Sequence, residues 1–301
     1  MRMGYCAMLV TLWGCGAGAQ VEQEFDGAVA LQYVKTQIGF GPRVPNTEGH
    51  RATGDWILER LLATADSVEV KAWDHVTADG DTLHLRNFIG RFRPEMTDRI
   101  LYLAHWDTRP KADRSDNLGQ QQLPVPGAND GASGVALLLA VADVLARNPP
   151  TYGVDLLFVD GEDYGDFGRN TDVLLGSTYY AESLDPEARK PLFAVVWDMV
   201  GDSDLRFPRE PNSVRGAPEV VERVWDAAAD LGYGSIFRDD LGPPMTDDHM
   251  PLQRVGIRAI DVIDFEYGPR NGYWHTTDDT VDKVSAESLQ VVGDVAVALV
   301  R

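Results

Sequence analysis

Along residues 25–301, apolar residues follow two patterns, short continuous runs typical of strands and a helical spacing of three to four residues. Short, almost fully apolar runs predict buried strands, and a looser alternation predicts an antiparallel pair at one side of the sheet. The buried strands are expected at residues 100–105, 154–159, 193–200 and 259–265, and the pair at residues 68–73 and 83–92. Helical spacing of apolar residues predicts helices at residues 29–38, 50–64, 134–147, 218–231 and 286–300. This order predicts an α/β fold: a three-layer α/β/α sandwich with a mixed, mostly parallel central sheet.

Two Pro- and Gly-rich stretches, residues 107–127 and 206–216, lack either period. We expect both to be long surface loops, and loops of this length in compact domains are usually functional or mobile. No repeat, linker or low-complexity stretch divides residues 20–301, so they are expected to form a single catalytic α/β domain, given the chemistry described below.

The first 19 residues have a different character. Arg2 precedes the short apolar run 6–13, and Ala17-Gly18-Ala19 resembles a small-x-small cleavage site, which is typical of an export signal. The run is too short for a membrane-spanning helix. We therefore expect export to the periplasm or the medium. Cys15 offers an alternative as a lipid attachment site, although the bulky Trp13 argues against it.

Composition narrows the classes of partner. The chain has 27 Lys+Arg against 47 Asp+Glu, a formal net charge of −20. Nucleic acids and anionic membranes reward clusters of Lys and Arg, so neither is expected as the main partner. No other stretch approaches the roughly 20 apolar residues of a membrane span. Cys6 and Cys15 both lie in the predicted signal, so the remaining chain has no disulfide, cysteine nucleophile or cysteine metal ligand.

Carboxylates and histidines follow several predicted strands. In open α/β sheets, ligands bind just beyond the carboxyl ends of the strands. The residues concerned are His105 and Asp107, Glu162 and Asp163, Asp198, His275, and Asp130 before a helix. Each alone has a structural interpretation; Asp130, for example, could be a helix N-cap. Together they supply the oxygen and nitrogen ligands that Zn²⁺ accepts, and three such ligands leave an open catalytic position.

These motifs resemble the zinc-dependent M28-type aminopeptidase superfamily. They are His105-Trp106-Asp107, residues 129–134, Gly161-Glu162-Asp163, Trp197-Asp198-Met199 and His275. A narrower resemblance, to the glutaminyl-peptide cyclotransferase (glutaminyl cyclase) branch, rests on segments spread over nearly the whole chain. They include residues 40–45, 159–163, 175–177, 198–202, 207–213, 247–252 and 274–279. The resemblance implies an aminopeptidase-like fold.

The resemblance also implies a reaction and its residues. The reaction is cyclisation of N-terminal glutamine in peptides or proteins to pyroglutamate, with release of ammonia. One Zn²⁺ would be held by Asp130, Asp163 and His275, and Glu162 would be the general acid/base. Asp198 and Asp247 match residues that form hydrogen bonds within the active site, and Trp274 would form a wall of the pocket. We expect the enzyme to be a monomer.

Some positions depart from the family pattern or allow another interpretation. Asp163 is a glutamate in many relatives, and the tryptophan of mammalian-type cyclases is missing from residues 164–175. The remaining pocket aromatics are therefore expected to be Phe167, Tyr267 and Tyr273, or else Phe265. Asp247-Asp248 could instead cap a helix through residues 249–254. Three carboxylates, Glu162, Asp198 and Asp247, would repel one another if all were ionised, which predicts at least one shared proton.

Two other functions stay open from the sequence. In the aminopeptidases, the histidine matching His105 binds a second zinc, with Asp130 bridging and Asp198 on the same metal. His105 and Asp107 are present here, so a two-zinc aminopeptidase is the main alternative. A non-catalytic binding domain on an inherited hydrolase fold is the third, because fold alone does not establish chemistry. The segments that carry no zinc-ligand candidates, residues 40–45 and 207–213, resemble the cyclase branch and favour the cyclase.

Overall fold

The computed structural model describes residues 24–301, and its centre is a six-stranded sheet. The strands are β1 (Ser67–Val76), β2 (Thr82–Phe92), β3 (Arg99–His105), β4 (Gly153–Val159), β5 (Phe193–Asp198), β6 (Phe207–Arg209), β7 (Phe237–Leu241) and β8 (Ala259–Ile263). The order in the large sheet is β1-β2-β4-β3-β5-β8. β1, β2 and β4 pair antiparallel, and β4, β3, β5 and β8 pair parallel. The mixed sheet with an antiparallel pair at one side is as predicted.

Helices cover both faces of this sheet. They are α1 (Gly27–Gly39), α2 (Glu48–Thr64), α3 (Ala132–Arg147), α4 (Leu175–Glu182), α5 (Pro211–Gly216), α6 (Pro218–Asp230), α7 (His249–Arg254) and α8 (Ala286–Ala298). The main core joins one face of the sheet to α1, α2, α3, α6 and α8, while a smaller core joins the other face to α4 and α7. α3 is buried along most of its length because it lies between the sheet and α1 and α8. The three-layer α/β/α prediction is confirmed.

The prediction of a long surface loop at residues 206–216 is wrong. This stretch forms β6 and α5, and β6 pairs with β7 in a separate two-stranded sheet. Phe207 is fully buried against Phe237, with ring centroids 4.9 Å apart. The Glu210 carboxylate caps α5 by accepting hydrogen bonds from the backbone N–H groups of Asn212 and Ser213. An aromatic anchor and a helix cap therefore order a stretch too short to show a period.

Residues 107–127 contain no regular strand or helix, as predicted, but they are not simply a surface loop. Arg109, Ala112 and Val125 are buried, and the backbone N–H of Val125 donates to the carbonyl of Arg109. The predicted strand at residues 193–200 ends earlier, at Asp198, because Met199 has a left-handed backbone with φ of 48°. That turn directs the chain away from the sheet at the edge where the candidate site lies.

The predicted signal at residues 1–19 and the lipid attachment at Cys15 lie outside the described residues and stay predictions. Among residues 24–301, none of the helices has the length and apolar character that a membrane crossing requires.

Candidate active site

The parallel strands bring the predicted residues to one edge of the sheet. His105 is the last residue of β3, Asp198 is the last residue of β5, and Glu162 lies in the turn after β4. Asp130 precedes α3, and His275 lies in the segment between β8 and α8. The carboxyl ends of parallel neighbours meet at the same edge, so residues far apart in the chain become neighbours here.

Asp130, Asp163 and His275 form one buried donor group, with one ligand atom of each lying within 4.8 Å of the others. The Nε2 atom of His275 is 3.5 Å from Oδ2 of Asp130 and 3.3 Å from Oδ1 of Asp163. Among the described residues, Oδ2 of Asp163 and Nδ1 of His275 are buried without a hydrogen-bond partner. Two carboxylates and one imidazole at this spacing fit the three-ligand set of a catalytic zinc.

His105, Asp130 and Asp198 form a second buried donor group that shares Asp130 with the first. The Nε2 atom of His105 is 3.2 Å from Oδ1 of Asp198, as a hydrogen bond, and 3.2 Å from Oδ1 of Asp130. The imidazole therefore already has a partner in this group. The same three residues could also hold a metal ion, so the arrangement accommodates one or two ions.

Glu162 lies beside both groups. Burial raises the pKa of its carboxyl well above the usual value; His105 opposes this shift, and the negative charges of Asp163 and Asp247 add to it. Asp107 fixes the backbone at this point, because its carboxylate accepts the N–H of Glu162 at 3.0 Å and the N–H of Asp163 at 3.1 Å. The structure thus places Asp107 beneath the turn, outside both donor groups.

Three further buried carboxyls, those of Asp198, Asp247 and Asp261, belong to the same cluster of acids as Glu162. Burial raises the pKa of Asp198 to about 7, and burial also raises the pKa of Asp247. Asp261 on β8 was not anticipated from the sequence; burial and the neighbouring Asp247 raise its pKa well above the usual value. Burial therefore favours the protonated form for part of this cluster. Asp248, the residue before α7, makes no side-chain capping hydrogen bond, so the helix-cap interpretation is wrong for its side chain. Asp247 does lie at the start of this helix, where its backbone carbonyl accepts the N–H of Met250.

The donor groups open into a cavity of about 140 Å³. Its lining residues are Asp130, Glu162, Phe167, Asp198, Met199, Met245, Thr246, Asp247, Ile263, Phe265, Trp274 and His275. Trp274 stacks on the imidazole of His275 with ring centroids 3.8 Å apart, and it packs against Phe265 in an edge-to-face arrangement with centroids 4.8 Å apart. One side of the cavity is thus aromatic and apolar, and the other is carboxylate and imidazole.

Tyr267 and Tyr273 do not line this cavity. The hydroxyl of the fully buried Tyr267 donates to Oδ1 of Asp279 at 2.8 Å. The Asp279 carboxylate in turn accepts the backbone N–H groups of Asn129 and Asp130. Tyr267 therefore supports the backbone of Asp130 from behind. Tyr273 lines a separate surface cavity.

Sequence reasoning also missed two arginines beneath the site. Arg43 is completely buried, and its guanidinium donates to the backbone carbonyls of Trp106, Pro126 and Gly127. Arg109 donates from Nη1 to Oδ1 of Asp163 at 2.8 Å. Arg43 lies within residues 40–45, one of the segments that resemble the cyclase branch, but hydrogen bonds from a side chain to backbone carbonyls leave no signature in a sequence.

A family model described as peptidase family M28 matches residues 87–300. The chain belongs to peptidase family M28. It is therefore an enzyme of a zinc-dependent family, and the matched region runs from β2 to the end of α8. The resemblance drawn from the sequence motifs is confirmed.

Solved structures agree with this assignment. The glutaminyl cyclase of Bacteroides thetaiotaomicron is 38% identical, with a TM-score of 0.86 over 92% of this chain and 97% of that one. A leucine aminopeptidase precursor from the same organism is also 38% identical, with a TM-score of 0.87 over 93% and 98%. Aminopeptidase YwaD of Bacillus subtilis is 26% identical over 92% of this chain, which spans 57% of that relative's length. The likeness thus extends to both a cyclase and aminopeptidases.

Proposed function

We propose that this protein is a glutaminyl-peptide cyclotransferase, which converts N-terminal glutamine of peptides or proteins to pyroglutamate and releases ammonia in a zinc-dependent reaction. The observation that carries the proposal is one three-ligand group, Asp130, Asp163 and His275. Two of its members, Asp130 and His275, line a small cavity together with Glu162 and Trp274. The likeness to the glutaminyl cyclase of Bacteroides thetaiotaomicron supports it.

The cavity favours a single terminal residue. Its volume of about 140 Å³ is well below the roughly 300–1,000 Å³ of pockets that enclose drug-sized ligands. Trp274 and Phe265 would contact the methylene groups of a glutamine side chain, while the carboxylates would face its polar end. A long peptide cannot enter such a space, but the end of one can.

Cyclisation makes modest demands on the protein. The nucleophile is the α-amine of the substrate itself, so closure of the five-membered ring benefits from high effective molarity once the chain is oriented. A zinc ion bound to Asp130, Asp163 and His275 would supply Lewis acidity to the amide oxygen. The aromatic wall of Trp274 and Phe265 would restrict rotation of the glutamine side chain and exclude water.

Proton transfer is the task of Glu162. A free α-amine has a pKa of roughly 7.7–8.0, so much of it is protonated at neutral pH. Glu162 would accept a proton from the amine as the new C–N bond forms and return it to the side-chain amide nitrogen of the glutamine, which leaves as ammonia when its bond to carbon breaks. Asp198 and Asp247 line the same cavity and would accept hydrogen bonds from the amine.

A two-zinc aminopeptidase is the second candidate. It is favoured by the second donor group, His105 with Asp130 and Asp198, and by the likeness to the leucine aminopeptidase precursor. The sequence segments that carry no zinc-ligand candidates, such as residues 40–45 and 207–213, resemble the cyclase branch and support a single ion instead. We therefore propose one zinc, held by the first group.

The proposal extends to the substrates, the oligomeric state and the location of the enzyme. Substrates would be peptides or proteins with an N-terminal glutamine, and the enzyme would act as a monomer. The motif at residues 1–19 supports export to the periplasm or the medium, with anchoring through Cys15 as the alternative.

Mass spectrometry on matched peptides tests the reaction. Two peptides differing only in N-terminal Gln or Leu are incubated with the enzyme, and metal content is measured on the same sample. We expect the Gln peptide to lose ammonia without becoming shorter, the Leu peptide to stay intact, and about one zinc per chain. Release of the N-terminal residue from either peptide with two zinc ions per chain would establish the aminopeptidase instead. If neither peptide were changed, only the third alternative, a non-catalytic binding domain, would remain.

A further inference from the structure

Residues 109–114 of the long loop after β3 contact several residues of the candidate zinc site. Nη1 of Arg109 donates to Oδ1 of Asp163 at 2.8 Å. Oδ1 of Asp113 lies 3.7 Å from Nδ1 of His275. The backbone N–H of Arg114 donates to the carbonyl of His275 at 3.2 Å, and its guanidinium lies over the ring of Trp274. Residues 109–114, which belong to none of the family motifs, therefore contact two of the three zinc-ligand candidates, Asp163 and His275, and the aromatic wall at Trp274.

Arg109 and Asp113 are themselves firmly joined. Nε and Nη2 of Arg109 donate to the two carboxylate oxygens of Asp113 at 2.8 and 2.7 Å. Such two-point pairs are both strong and directional. The Arg109 side chain is only 10% exposed, so its guanidinium has little freedom and its third contact, to Asp163, is fixed as well. One buried cation thus connects two carboxylates that face the same imidazole.

The imidazole of His275 lacks a partner on its outer side. Its Nδ1 atom is buried and makes no hydrogen bond among the described residues. A histidine that binds metal through one nitrogen almost always donates the N–H of the other to a carboxylate, a carbonyl or water. Asp113 is the carboxylate on that side, and its Oδ1, which Arg109 holds in place, is 3.7 Å from Nδ1 of His275.

We propose that Arg109 and Asp113 are positioning residues of the zinc site, with Asp113 orienting His275 through Nδ1 and Arg109 orienting Asp163 through Oδ1. The four side chains then form a continuous half-ring in the order His275, Asp113, Arg109 and Asp163. This inference rests on the proposed zinc group, but it does not depend on which reaction the zinc serves.

Charge alone predicts the opposite effect for Arg109. A guanidinium next to a metal ligand repels a second cation, so its removal should tighten zinc binding if only Coulomb forces acted. If Arg109 instead orients Asp163 and Asp113, its removal should weaken zinc binding by about 10- to 100-fold, the usual cost of losing an outer-shell partner. The sign of the change therefore separates the two accounts.

Zinc affinity by competition with a chromophoric chelator tests the proposal, using Arg109→Gln and Asp113→Asn. Lys111→Gln and Asp116→Asn are matched controls, because they make the same charge changes at exposed positions of the same loop. We expect the dissociation constant for zinc to rise about 10- to 100-fold in both test variants. Both controls should stay within about threefold of wild type, as is usual at surface positions.

The double variant and the metal-free protein complete the test. Because Arg109 and Asp113 act through one shared pair, the double variant should lose little more affinity than the weaker-binding single variant. The thermal midpoint of the metal-free protein should change by a similar small amount in test and control variants. A metal-free midpoint that falls only in the test variants, in proportion to the affinity loss, would assign the pair a purely structural role and overturn the proposal.

The remaining outcomes separate this inference from the proposed function. Arg109→Gln with zinc bound as tightly as, or more tightly than, in wild type overturns the positioning role but leaves the cyclase proposal intact. Wild type that binds zinc tightly without cyclising glutamine refutes the cyclase and still allows the positioning role to be measured. Wild type that binds no zinc overturns both.

Discussion

At the scale of single residues, Glu162 differs from its neighbours because it lies beside both donor groups and belongs to neither. Replacing it with glutamine keeps the shape and removes the proton acceptor. We expect Glu162→Gln to reduce the rate of glutamine cyclisation by about 10²- to 10⁴-fold, the usual contribution of a general acid/base, with zinc content unchanged. Initial rates and metal analysis on the same sample check this. Glu266→Gln, an exposed position, is the control; a variant at 162 that keeps most of its activity would exclude the proton-transfer role.

The hydroxyl of Tyr267 offers a second prediction at this scale. It donates to Asp279, a buried carboxyl that also holds the backbone of Asn129 and Asp130. Tyr267→Phe leaves that carboxyl short of one donor, and a buried acceptor left without a partner costs about 1–3 kcal/mol. We expect the free energy of unfolding in urea to fall by about that amount. Tyr273→Phe should cost far less, and an equal loss at both positions would argue against the role of the hydrogen bond.

At the scale of elements, the sequence revealed most of the large sheet. β3, β4, β5 and β8 are buried on both faces, so they appear as continuous apolar runs. The short elements α4, α5, β6 and β7 were not predicted, because three to eight residues are too few to show a period. Their positions depend on contacts between distant segments, such as Phe207 with Phe237, that no local pattern records.

Part of the candidate site was predictable because its residues follow elements that the sequence itself predicts. Asp130, Glu162 and Asp198 lie at strand ends or a helix start, where the fold alone brings polar groups together. The direction of a side chain within an irregular segment is not encoded locally. Tyr267 consequently faces the back of the site, and Arg109 connects two acids that are 50 residues apart in the sequence, with no signal for either.

The cap of α5 leads to a prediction about pH. Burial opposes ionisation of Glu210, but His249 and the backbone N–H groups of Asn212, Met245 and Ser213 outweigh it and lower its pKa to about 2. Because the folded pKa lies below the ordinary value of 4.5, this stabilisation is fully present above pH 4.5 and disappears as the pH falls toward 2. We expect Glu210→Gln to lose about 1–3 kcal/mol at pH 7 and to approach wild type as the pH falls.

Urea unfolding of wild type and Glu210→Gln at pH 7, 5, 4 and 3 measures this difference directly. Comparison of the two proteins at each pH cancels the titration of the other carboxyls. Glu222→Gln, at an exposed acid paired with Arg209, should differ little from wild type at any pH. A difference at position 210 that stays constant from pH 7 to 3 would show that shape, rather than charge, accounts for the effect.

At the scale of the whole molecule, the fold places many acids in one region without a matching number of cations. The chain has a formal net charge of −20, and Asp130, Asp163 and Asp198 are all buried near one another. Burial of like charges is costly unless protons or a cation compensate. Bound zinc would provide that compensation, and so it should contribute to the stability of the whole fold as well as to catalysis.

The zinc ligands come from three separate parts of the chain, before α3, after β4 and after β8, so only the folded state can assemble them. Zinc should therefore stabilise the fold by about 2.7 kcal/mol when free zinc exceeds its dissociation constant 100-fold. For a chain of this size, with about 2.1 cal/mol/K of unfolding entropy per residue, that corresponds to a rise of roughly 5 °C in the thermal midpoint over chelator-treated protein. His275→Ala should abolish most of this rise, because two carboxylates alone hold zinc poorly, whereas His84→Ala, at an exposed histidine, should keep it. If His275→Ala responded to zinc as wild type does, the stabilising ion would have to bind elsewhere, and the compensation of charge at this edge of the sheet would come from protons instead.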